Sequence, residues 1–94
     1  MAPENDWRWE FTEQAERQLS KLDSEFQKRI IAKLNEVVHN EWREPPDVLE
    51  PLRGSPYQKL RVGDYRLGCV VDANDKLLTV VSVRPRSSAY KGDD

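Results

Sequence analysis

Two runs of strand-forming residues, Tyr57 to Val62 and Tyr65 to Asp72, are separated only by Gly63-Asp64. A two-residue connection containing glycine suits a type II′ turn, so this stretch reads as a β-hairpin. The hairpin carries cations where strands usually carry β-branched and aromatic side chains. Side chains alternate across a strand, which puts Tyr57, Lys59 and Arg61 on one face and Gln58, Leu60 and Val62 on the other. Neighbours on one face stand about 6.6 Å apart, close to the spacing of successive phosphates on an extended nucleic acid strand. Arg66 follows the turn, and Arg84-Pro85-Arg86 closes the next apolar run, with Tyr90 just beyond. The pattern fits a face built for an anion, and it equally fits an ordinary solvated sheet face.

Ninety-four residues suffice for one modest core, so the chain is expected to be a single domain over 1–94, ordered from about 6 to 90 with frayed ends. At 37% hydrophobic and 34% charged residues, it is too apolar for a disordered chain and too polar for a membrane protein. The N-terminus lacks the apolar core of a signal peptide, and no apolar run approaches the roughly 20 residues of a bilayer span. A cytoplasmic location, with no membrane partner, is the expectation. The single cysteine, Cys69, excludes an internal disulfide framework or a cysteine-based zinc site. Set in Leu67-Gly-Cys-Val-Val71, it reads as a small buried hydrophobe.

The net charge of −2 conceals an asymmetry. Residues 1–50 carry seven Lys/Arg against twelve Asp/Glu, giving −5, and residues 51–94 carry eight against five, giving +3. Salt confines exposed charges to their neighbourhood, so a positive C-terminal surface can attract polyanions despite the acidic whole. The acidic half reads as a solvated face.

Asp6-Trp-Arg-Trp-Glu-Phe11 alternates strictly and marks a half-buried strand with Trp7, Trp9 and Phe11 on one side. Thr12 is placed to cap a short helix whose Ala15, Leu19 and Leu22 form an apolar stripe. A second helix begins at Asp23 or Ser24, where Ser24-x-x-Gln27 matches a capping box. It presents Phe26, Ile30, Ile31, Leu34, Val37 and Val38 at helical spacing and ends near His39. His39 suits a last-turn position beside free carbonyls, and no second ligand type is spaced to join it in a metal site. Between Glu41 and Pro56 lie four of the six prolines, which predicts an ordered loop without an element of its own. Trp42 in that loop is expected to plug the core edge rather than to bind a ligand. After the hairpin, Ala73-Asn-Asp-Lys76 reverses the chain into an apolar strand over Leu77 to Val83. The predicted order is β-α-α-β-β-β: an α+β fold with a helical hairpin on one face of a mainly antiparallel four-stranded sheet.

Gly54-x-x-Tyr57-x-Lys59-Leu-Arg61-Val-Gly63-Asp64-Tyr65-Arg66-Leu67, with Val83-x-x-Arg86-x-x-x-Tyr90, closely resembles the RelE/ParE superfamily of type II toxin–antitoxin systems. The resemblance covers nearly the whole chain, including the first strand, the Ala-x-x-x-Leu-x-x-Leu helix and the basic-amphipathic second helix. RelE-like members cleave messenger RNA on the ribosome, and ParE-like members poison DNA gyrase.

For a RelE-like protein, the resemblance implies an endoribonuclease that needs no metal or other cofactor. The ribose 2′-OH attacks and a 2′,3′-cyclic phosphate remains. Such chemistry needs a group to take the 2′ proton, cations for the added charge of the phosphorane, and an acid for the departing 5′ oxygen. By resemblance, Lys59 and Arg66 hold the scissile phosphate, with Lys59 a candidate base if neighbouring cations make it less basic. Arg86 stabilises the transition state and assists the leaving group. Tyr90 orients or deprotonates the 2′-OH, or stacks on a base. Tyr57, Arg61 and Arg84 are assigned to contacts with messenger or 16S-type ribosomal RNA. Some ribonuclease members carry a lysine where this chain has Tyr57, and others a histidine where it has Pro85, leaving one positive charge fewer than the fuller set. The Arg86 and Tyr90 pair favours the ribonuclease over the gyrase poison; a catalytically impaired homologue that only binds antitoxin or nucleic acid is the remaining alternative. The resemblance also implies a cognate antitoxin and a toxin–antitoxin hetero-oligomer.

Overall fold

A computed structural model of the chain describes residues 7–40, 42–51, 54 and 57–85. The elements are β1 (Arg8–Phe11), α1 (Glu13–Ser20), α2 (Ser24–Val38), α3 (Pro45–Val48), β2 (Glu50–Pro51), β3 (Gln58–Val62), β4 (Tyr65–Asp72) and β5 (Leu77–Pro85). They form one sheet in the order β1-β5-β4-β3-β2. Only β1 runs parallel to its neighbour, β5, while the other pairs are antiparallel. The frayed ends expected of residues 1–5 and 91–94 lie outside the described residues.

The first helix starts where the sequence places it. Thr12 is extended at φ −73° and ψ 168°, and its Oγ1 accepts a hydrogen bond from the Ala15 N–H at 3.1 Å. The second helix starts differently from expectation. Asp23 is the N-cap without a side-chain cap, and Gln27 Nε2 donates to the Leu22 carbonyl at 2.8 Å rather than closing a capping box with Ser24. Gln27 thereby satisfies a carbonyl of the interhelical turn, an alternative that the spacing alone does not distinguish. At the other end His39 Nδ1 lies 2.9 Å from the Asn35 carbonyl, the last-turn contact expected of it.

Ala15 and Leu19 of α1 and Ile30, Leu34 and Val37 of α2 lie on Leu60, Val62, Leu67, Cys69, Leu78, Val80 and Val83 of the sheet. The apolar stripes and the period-two faces thus meet as the pattern requires. Gln18 Oε1 accepts from the Val83 N–H at 2.7 Å, pinning α1 to β5. Trp9 and Phe11 pack edge to face at 5.2 Å, and Trp9 Nε1 donates to Asn35 Oδ1 at 2.9 Å.

Three expectations are corrected. The sheet has five strands rather than four, because Glu50 and Pro51 pair with Lys59 and Gln58. The proline-rich segment is not a bare loop: it contains α3 as well as β2. Prolines at the first helical positions have φ preset, and the Asp47 N–H donates to the Glu44 carbonyl at 2.8 Å to close the turn. Pro51, lacking an N–H, ends the edge strand where pairing can stop without loss. Trp42 does not plug the core edge, being 88% exposed. Its backbone N–H is held by Asn40 Oδ1 at 2.7 Å, an Asx-type turn that fixes the main chain and leaves the indole outside.

Candidate nucleic-acid interface

The hairpin turn is as the sequence predicts. Gly63 has φ +58° and Asp64 is not among the positive-φ residues, the φ signs of a II′ turn, with Val62 and Tyr65 paired across it. The hairpin is braced on α2 by Phe26, whose ring lies 5.1 Å from that of Tyr65, with Arg29 over Phe26 at 5.5 Å. This brace fixes the strands that carry the cations.

On the face away from the helices, Arg61 is the direct partner of Arg66, and Arg66 of Arg84. The three arginines therefore form a row across β3, β4 and β5, about 10 Å from end to end at ordinary strand spacing. Like charges directly opposed are unfavourable in a sheet, so the row is a standing region of positive potential. The next row holds Lys59, Gly68 and Ser82. Gly68 leaves room there that the Ser82 side chain takes up: a Cβ at that position would stand 2.6 Å from Ser82 Oγ.

Arg84 reaches this face through an irregularity. Register shifts between Gly68 and Cys69, which pair with Ser82 and Val80 respectively, so Val81 has no opposite residue. Thr12 Oγ1 donates to the Val81 carbonyl at 3.5 Å, and the Thr12 N–H to the Val80 carbonyl at 3.0 Å. Strict alternation would put Arg84 on the same side as Leu78 and Val80, in the core. The extra residue turns β5 over, so that Leu78, Val80 and Val83 face the helices while Ser82 and Arg84 face outward.

Of the residues expected in the site, Lys59, Arg61, Arg66 and Arg84 are brought together, and Tyr57, 41% exposed, immediately precedes β3. Arg86 and Tyr90 lie outside the described residues. The sequence reading missed Glu50. Pairing of β2 with β3 sets it opposite Lys59, where its Oε1 lies 3.5 Å from Lys59 Nζ and 4.0 Å from Arg61 Nη2. The Lys59 side chain is 15% exposed, that of Glu50 57%. No local signal marks Glu50, since only the pairing of a two-residue strand carries it from the acidic half onto the cationic face. Lys59 thus lies against a carboxylate within the cationic face.

Cys69, beneath this face, is fully buried, and desolvation pushes its thiol from 9.0 up to about 12. It is packing, as expected. The outer face carries cationic donors of the kind that can hold a phosphodiester and offset charge that builds on it.

The family described as the ParE toxin of type II toxin–antitoxin systems matches residues 9–90. The chain belongs to the RelE/ParE superfamily of type II toxins. Comparison with curated proteins finds no match. Among solved structures, this toxin is similar to the RelBE2 toxin–antitoxin complex of Mycobacterium tuberculosis, at 26% identity and a TM-score of 0.73, over 85% of this chain and 98% of that one. The intact Escherichia coli RelBE complex matches at 28% identity and a TM-score of 0.66, over 84% of this chain and 95% of the other. A mutant E. coli RelE bound to an antitoxin peptide matches at 28% identity and 0.65, over 89% and 90%. The helices-on-sheet fold is that of these RelE toxins. Among the described residues of this toxin, no helix is long and apolar enough to cross a membrane.

Proposed function

We infer that this toxin is a messenger RNA endoribonuclease acting on the ribosome, in the cytoplasm. The observation that carries the reading is the row Arg61–Arg66–Arg84 beside Lys59, four cations on one face of the sheet. An extended RNA strand offers a line of phosphates to such a set of cations, and the pentacoordinate state formed by 2′-OH attack gains negative charge that such donors stabilise. Lys59 and Arg66 hold the scissile phosphate. Arg86 and Tyr90 follow β5 in sequence and act on the leaving oxygen and the 2′-OH; Tyr57, Arg61 and Arg84 hold flanking or ribosomal RNA. No metal is assigned a role. The similarity to RelE toxins supports this reading over the gyrase inhibition of ParE-like members, although the matching family bears the ParE name.

The relatives were solved with their antitoxins, which supports a cognate antitoxin for this protein. Its acidic side chains would neutralise the cationic face, and an extended segment would add to a sheet edge.

Induction of the toxin, followed by mapping of messenger RNA 5′ ends, tests the function. New ends within translated frames are expected, and Arg66→Ala or Arg86→Ala should reduce them at least tenfold at equal protein level, as loss of one charge-stabilising donor does. Unchanged 5′ ends with trapped DNA breaks would replace the ribonuclease by the gyrase poison.

A further inference from the structure

Glu50 brings an anion into the face that the preceding reading reserves for RNA. Its Oε1 is shared by two cations on one strand, 3.5 Å from Lys59 Nζ and 4.0 Å from Arg61 Nη2. Both cations lie within 4.0 Å of a single oxygen, a position that a phosphate oxygen could also occupy. Carboxylate and phosphate cannot both stay there, since they would compete for the same N–H groups and repel each other.

We propose that the Glu50 carboxylate is the resident anion of both Lys59 and Arg61, and that the RNA phosphates taken by these two cations displace it on binding. The proposal rests on the RNA-binding reading of this sheet face. Displacement is mechanically easy. Glu50 belongs to a two-residue edge strand ended by Pro51, and its side chain is 57% exposed, so the carboxylate can turn to water without being buried or leaving a strand unpaired. The consequence is selectivity. A lone phosphate must overcome the internal ion pair for one new contact, whereas an extended strand gains the Arg66 and Arg84 contacts at the same time. The resident carboxylate therefore lowers affinity for small anions in favour of polymers.

The test is binding of the full chain to a fluorescent oligouridylate of about twelve nucleotides, followed by anisotropy across a salt series. Glu50→Gln, nearly isosteric and at an exposed position, should tighten binding about threefold or more and steepen the log–log salt slope by up to about 0.7, because in the wild type the cation taken up by the released carboxylate offsets the one freed by a phosphate. In a Lys59→Ala/Arg61→Ala background Glu50→Gln should change nothing. Thermal unfolding confirms that each variant is folded. If Glu50→Gln binds as the wild type while Lys59→Ala/Arg61→Ala binds more weakly, the resident-anion proposal falls and the RNA face stands. Equal tightening in both backgrounds also overturns it, as a general charge effect. If Lys59→Ala/Arg61→Ala binds as tightly as the wild type, the RNA-face reading itself fails, and the resident-anion proposal with it.

Discussion

Replacing Gly68 by alanine tests the packing that shapes the cationic face. An added Cβ would lie 2.6 Å from Ser82 Oγ, 3.5 Å from Val81 Cγ2 and 3.8 Å from Ser82 Cβ. Only the first distance is intolerable, and it involves the tip of a short side chain, so the strain falls on one torsion of Ser82. Forcing that hydroxyl out of its well costs about 0.5–1.5 kcal/mol, while alanine in place of glycine restricts the unfolded chain and gains about 0.4–1 kcal/mol. Gly68→Ala alone should therefore lie between about 0.5 kcal/mol stabilising and about 1 kcal/mol destabilising. In a Ser82→Ala background the 2.6 Å contact disappears and only ordinary van der Waals distances remain. There the same substitution should stabilise by about 0.5 kcal/mol, a coupling of roughly 1 kcal/mol between the sites. Urea unfolding of the four proteins measures the cycle, and for a chain of this size 1 kcal/mol corresponds to about 4–8 °C in Tm. Additive effects, with Gly68→Ala equally costly in both backgrounds, would refute the geometry: the space beside Gly68 would then not be taken up by the serine.

Burial of Cys69 predicts a thiol inert to Ellman's reagent at pH 8 until the protein unfolds, and any fast native labelling contradicts the packing. Because its folded value of about 12 lies above 9.0, its contribution is fully present below pH 9 and is lost as pH rises toward 12. At pH 10 the wild type should have lost about 1.4 kcal/mol that Cys69→Ala does not lose, a difference readable by urea titration at the two pH values. Thr12→Ala removes both the α1 cap and the hydroxyl that meets Val81 at the bulge, and should cost about 1–2 kcal/mol in urea unfolding. Less than about 0.5 kcal/mol would show that neither bond matters.

What was legible in the sequence is local. Gly63-Asp64 specified the turn, Thr12 the first cap, and the alternation of Leu60 and Val62 with Lys59 and Arg61 the two faces of β3, all effects that act within a few residues. Cys69 could be read as buried because its neighbours are apolar. Trp42 could not be read correctly, since its exposure is set by the Asn40 turn rather than by its own hydrophobicity. The capping box failed for a similar reason, because Gln27 had a second acceptor, the Leu22 carbonyl, within reach.

By itself the sequence determined that cations would line one side of a hairpin, with helices to cover the other. Only the tertiary structure decided which cations share that side and what faces them. Arg84 stands beside Arg66 because one unopposed residue, Val81, turns β5 over, and Glu50 meets Lys59 because a two-residue strand pairs across the sheet edge. Both depend on register between strands distant in the chain. Side-chain alternation is written in each strand, but the pairing that aligns one strand with another is fixed by the burial of the whole apolar face.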